Sequence, residues 1–224
     1  MQSVLVDASV VAIAHDVNLS IFRPPWLVKS RIFTEKELQG EIVVTPAFVQ
    51  VPTDNFQLMV FPDRIQMAIR LNCPDAADCI QRVMGGVVST LPHTPYTAAG
   101  LNFKYLAAPE SADAFAPWNR ALLSSSFADE VAPPDDGGAR FGSYVSFDTL
   151  GLRLKLDIKP TKAPDAAVKM CKSWRPGQDL VSLGFNFHAD VTQAKEPADE
   201  LIGVLGKWTD ALALSEKIAG QITD

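Results

Sequence analysis

The chain has only three cysteines and three histidines in 224 residues, and neither type is grouped. Cys73, Cys79 and Cys171 are odd in number and sparse, which suits a reducing compartment better than a disulfide-stapled secreted domain. A Cys73–Cys79 bridge would pull Cys79 out of the buried stripe of its predicted helix, so both are read as thiols. There is no HExxH and no paired Cys/His spacing, which leaves zinc without a ligand set. The GxSxG turn of a serine nucleophile is missing too, and no serine is placed for a triad.

No stretch approaches the roughly 18–20 apolar residues that span a bilayer. The apolar opening, Met1 to Ala14, lacks a basic leader and is interrupted by Asp7, unlike a secretory signal. These absences predict a cytoplasmic protein with no cofactor and no membrane partner, and they tilt the reading away from an enzyme.

The composition, 47% hydrophobic and 21% charged, is that of a chain able to bury a sizeable core, and disorder is not expected over most of its length. A net charge of −6 argues against a surface that binds nucleic acid indiscriminately, while leaving room for a local basic site.

Residues 41–91 are the best-organised part. Phe56–Phe61 and Arg64–Leu71 read as strands joined at Pro62-Asp63, and in the second Ile65, Met67, Ile69 and Leu71 alternate with polar or small residues. Ile42–Val51 reads as a third strand. A helix follows, with Pro74 at its first position and Ala76, Ile80, Val83, Val87 and Leu91 at helical spacing.

Before this unit, Val4 to Phe22 is rich in β-branched residues and reads as one long strand or two with a bend. Thr34 and Glu37 have capping-box spacing, with Gly40 as a left-handed stop. After it come a strand from Gly100 to Ala107 and a weaker helix from Ser111 to Ser125, interrupted at Pro117. Phe127 to Gly138 is an acidic Pro/Gly loop. Phe141–Phe147 and Leu152–Lys159 predict a hairpin across Asp148 to Gly151. Pro164 to Trp174 predicts a short helix, Val181–Val191 a strand, and the end from Pro197 one long helix striped by Leu201, Leu205, Trp208, Leu212, Ala219 and Ile222.

The predicted fold class is therefore α+β: a largely antiparallel sheet, or sheets, covered by two main amphipathic helices. It carries a duplicated strand-strand-strand-helix unit in one domain, with pseudo-repeats at about 1–126 and 139–224 joined by the acidic loop. The interior glycines Gly85, Gly86, Gly203 and Gly206 predict close approach of both helices to the sheet.

Few residues carry chemistry. His188 and Asp190 share a strand face and form the least poor catalytic pair. Met84-Gly85-Gly86 lacks the strand–loop–helix setting of a phosphate loop and reads as helix packing. The Asp135-Asp136-Gly137-Gly138 loop lacks the alternating ligands of a calcium site.

The unusual charge feature is Arg153 to Arg175. Its seven cations (Arg153, Lys155, Lys159, Lys162, Lys169, Lys172, Arg175) less Asp157 and Asp165 give +5 in a chain of −6. Lys155, Lys159, Lys169, Lys172, Trp174 and Arg175 are the candidate ligand-binding residues, since cations beside an aromatic hold phosphate or a base. Lys169, Lys172 and Arg175 would share a helix side.

Three functions follow, in descending order. The first is a non-enzymatic protein-interaction or assembly subunit, a homo-oligomer in its simplest form, with Val4–Ala14 as an edge for strand addition. The second is a nucleic-acid or phosphate-ligand binder through residues 153–175. The third is an enzyme whose site leaves no recognisable motif.

Overall fold

A computed structural model describes residues 2–109, 111–122 and 138–223. Among these residues nine strands form one antiparallel sheet. They are β1 (Gln2–Ala14), β2 (Val43–Val44), β3 (Val49–Pro52), β4 (Phe56–Phe61), β5 (Arg64–Ile69), β6 (Tyr96–Ala108), β7 (Ser143–Thr149), β8 (Leu152–Lys162) and β9 (Asp179–Asp190), in the spatial order β2-β3-β4-β5-β1-β6-β9-β8-β7.

The predicted edge strand proves to be the centre. β1 pairs with β5 on one side and with β6 over almost its whole length on the other, so the strand-addition site expected at Val4–Ala14 is already occupied. Nothing local could reveal this, because both partners lie more than fifty residues away. The strand stops at Ala14, short of the expected Phe22, and Asp16 follows in a left-handed conformation (φ 55°). The stretch predicted as a single strand over Ile42–Val51 is a hairpin, β2 and β3, folded at Thr45-Pro46-Ala47-Phe48, where the Thr45 hydroxyl accepts from the Phe48 N–H.

Alternation decides which face is dry. Ala8, Val10 and Ala12 of β1, Leu101, Phe103 and Tyr105 of β6, Phe185 and Phe187 of β9, and Leu154 and Leu156 of β8 point into one core. The cover over that core is more than two helices. It comprises α1 (Pro24–Lys29), α2 (Ala76–Ile80), one π-helical turn (Gln81–Gly85), α3 (Gly86–Thr90), α4 (Phe115–Ala121), α6 (Pro197–Leu205) and α7 (Trp208–Thr223). The predicted C-terminal helix is two helices, broken at Gly206-Lys207, and Trp208 at the start of the second lays its ring 4.7 Å from Phe103.

Glycines in the cover do not mark close approach to the sheet. A Cβ on Gly86 would meet Ile32 at 3.3 Å, and one on Gly203 would meet nothing within 4 Å. Pro117 sits in the first turn of α4, where its missing N–H costs no helical bond.

A second, smaller apolar cluster lies on the opposite face at one end of the sheet. Bulging between Leu5 and Asp7 and the alternation of β6 turn Val4 and Leu106 away from the main core. α5 (Asp165–Met170) and the turn after it fold over them with Ala167, Cys171 and Trp174. Among the described residues no helix is long and apolar enough to cross a membrane. The acidic loop lies outside the described residues except for Gly138.

Candidate interaction surface

The two faces of the sheet differ in chemistry. On the face turned away from the main core, register places Val11, Gly100, His188 and Arg153 in one row, and Ser9, Asn102, Asn186 and Lys155 in the next. The Asn186 amide donates to the Asn102 Oδ1 at 2.5 Å, and a Cβ on Gly100 would meet that amide at 3.2 Å.

His188 is half-buried here. Burial and then the nearby Lys155 charge push its imidazole below the usual range, with Asp190 acting the other way. Asp190 does not orient that ring, since its Oδ1 accepts from the Thr192 N–H at 2.8 Å and the Thr192 hydroxyl at 2.6 Å. Burial pushes the phenols of Tyr96 and Tyr105 up to about 12, outside the range of acid–base work near neutrality. Clefts of about 580 Å³ at Lys36–Asn55, 470 Å³ at Val17–Pro62 and 600 Å³ at Ser111–Asp179 are not lined by His188.

The basic segment is dispersed by the fold. Lys155 and Lys159 lie on the polar sheet face, and Lys159 pairs with Asp157 at 2.5 Å. Arg153 pairs with Asp148 at 3.0 Å and Lys162 with Asp179 at 2.6 Å. Lys169 is exposed on α5, but that helix ends at Met170, so Lys172 and Arg175 do not continue its side. Trp174 is 4% exposed within the smaller cluster, which leaves no ring face for a base to stack on. Tryptophan after a short helix reads equally as surface or plug; only the apolar floor supplied by Val4 and Leu106 decides it.

Cys73 and Cys79 are free thiols with sulfurs 3.9 Å apart, nearer than the helix stripe suggested, because Cys79 is only half-buried. The capping box does form. Glu37 accepts from the Thr34 N–H and hydroxyl at 2.9 Å, and from Arg82 at 2.7 Å. Although burial opposes it, these bonds hold the Glu37 carboxyl below its usual range. It caps a 3-10 turn, and Gly40 after it is extended (φ −73°), not left-handed.

The sheet ends in two edges, and they are unlike. β2 is two residues long, with half-buried Val43 and Val44. β7 is seven residues long, and Tyr144 through Asp148 are all exposed. Seven large apolar side chains are exposed among the described residues, and four of them lie between Tyr144 and Leu150 (Tyr144 61%, Val145 43%, Phe147 40%, Leu150 36%). That concentration singles out β7.

Its geometry is well defined. Leu150 and Gly151 both have positive φ (54° and 65°), the signature of a type I′ two-residue turn, and β7–β8 register runs unshifted from Thr149/Leu152 to Ser143/Ile158. Upstream, Arg140 reaches Asp179 at 2.8 Å, and Gly142 passes so close to β8 that a Cβ there would lie 2.6 Å from the Ile158 carbonyl oxygen.

Sequence reasoning placed this hairpin but not its isolation, because strand order across a sheet is set by distant partners. A comparison with protein-family models gives no match to this chain, and neither does one with curated proteins.

Proposed function

We propose that this chain is a non-enzymatic protein-interaction or assembly subunit that contacts its partner through β7 by strand addition. The observation that carries the reading is a seven-residue edge whose exposed side chains include Tyr144, Val145 and Phe147. Sheet proteins blunt such edges with short strands, lysines, prolines or inward charges. β7 has none of these, and its one charge, Asp148, is engaged by Arg153. A long apolar edge with unpaired backbone groups is stable in solution when another strand covers it.

The same reading takes the chain as one domain of two pseudo-repeats, about 1–126 and 139–224. What supports it is the strand order: β1 and β6 lie side by side at the centre, flanked by β5-β4-β3 and β9-β8-β7. That order groups β1 to α3 as one set and β6 to α7 as the other, so the division it favours falls ahead of Tyr96 and moves β6 and α4 out of the first repeat.

The test is affinity capture with tagged wild-type chain and with Val145→Lys, checked for equal thermal midpoints. Associated protein, including untagged copies of this chain, is expected to be lost from the variant. Unchanged retention overturns the reading.

A further inference from the structure

We infer that the strand covering β7 is β7 of a second copy, paired antiparallel about a two-fold axis through Ser146; this rests on the reading of β7 as a contact edge. In a hairpin closed by a two-residue turn, the residues flanking the turn form a hydrogen-bonded pair. Thr149 and Leu152 are that pair, so Val145 and Phe147 direct their N–H and C=O groups at β8. Tyr144, Ser146 and Asp148 therefore direct theirs outward, away from the sheet.

Only registers that match outward groups with outward groups can bond. The one that uses all three sets Ser146 against Ser146 and Tyr144 against Asp148 of the second copy. About six new backbone hydrogen bonds result, two per pair.

The side chains agree with this register. On the core side, Val145 meets Phe147 of the second copy and Phe147 meets Val145, an aromatic and β-branched combination favourable across strands. On the other side the Tyr144 phenol faces the Asp148 carboxylate, a donor against an anion. No like charges oppose each other, because Asp148 is the only ionised side chain of the strand. A register that set Asp148 against Asp148 would oppose two carboxylates and leave Tyr144 unpaired. The two-fold axis stands perpendicular to the sheet, so both helical layers lie on one side and the sheets join edge to edge.

The interface is small. Seven residues a side falls below about 1,200 Å² in total, the range of weak and transient contacts. Association is therefore concentration-dependent.

The experiment combines light scattering over a concentration series with single cysteine substitutions oxidised in solution. A Cα separation near 5.5 Å at Ser146 lies within the range that a disulfide bridges. Ser146→Cys is expected to give a covalent dimer. Tyr144→Cys and Asp148→Cys are expected to give none alone and one when mixed. Wild-type chain under the same oxidant controls for Cys73, Cys79 and Cys171.

The expected mass rises from one copy to two with concentration, and Val145→Lys holds it at one. A wild-type mass of one copy throughout, with no cross-link at Ser146, overturns the second-copy assignment. If capture is still lost in Val145→Lys, the contact edge then stands with a different occupant. If capture is unaffected as well, both readings fail. Cross-linking of Tyr144→Cys to itself overturns the register.

Discussion

β2 and β7 end the same sheet and solve its edge in opposite ways. β2 offers two residues, half-buried, so little backbone is left to template another strand. β7 offers seven, five of them exposed. Length and exposure, rather than position in the sheet, separate a blunted edge from an open one.

The sheet centre gives the scale against which both edges are read. Phe103 is buried between Phe187 and Trp208, and Phe103→Ala should cost about 3–5 kcal/mol in urea denaturation. A loss below 1 kcal/mol would mean that the core lies elsewhere.

At the approach to β7, Gly142→Ala should cost about 1–3 kcal/mol, since the new methyl must push the strand away from the Ile158 carbonyl. It should also abolish the Ser146→Cys cross-link, which a merely local clash would leave intact. Turn strain is the next smaller term. Leu150 holds a left-handed conformation that suits asparagine better, so Leu150→Asn should add about 1 kcal/mol by thermal melting. No gain would show the turn to be other than type I′.

The two ion-pair predictions are smallest. Asp148→Ala breaks an exposed pair with Arg153 and should change stability by less than about 0.5 kcal/mol, while weakening self-association by removing the acceptor for Tyr144. The bond from Lys162, aided by Arg140 and opposed by burial, holds the Asp179 carboxyl below its ordinary range. Its contribution is therefore complete above the unfolded carboxyl pKa of about 3.9 and is lost as pH falls through the lower folded value. Urea midpoints at about pH 5 and about pH 3 should converge in Asp179→Asn more than in wild type; equal slopes would count against the pairing.

Much of the architecture was legible because its signals are local. The 56–61 and 64–71 alternation, the Thr34–Glu37 cap and the hairpin ahead of Leu152 each follow from residues within a few positions of one another. Strand order was not legible. Val4–Ala14 has the same β-branched run whether it lies at an edge or at the centre, and only its pairing with β6 decides. The candidate site failed on the same ground. Lys169, Lys172 and Arg175 keep a helical period in sequence, but Cys171 is extended and ends the helix beneath them. Trp174, taken for a stacking ring, is a plug because Val4 and Leu106 turn outward beside the bulge.

The central place of β1 also orders events during synthesis. Residues 2–14 leave the ribosome some ninety residues ahead of 96–108, a wait of about 5–20 s at ~5–20 residues per second. Until β5 emerges, that β-branched segment has neither neighbour, and until β6 follows it can pair along one side only, so the middle strand of the sheet waits longest to be closed on both flanks.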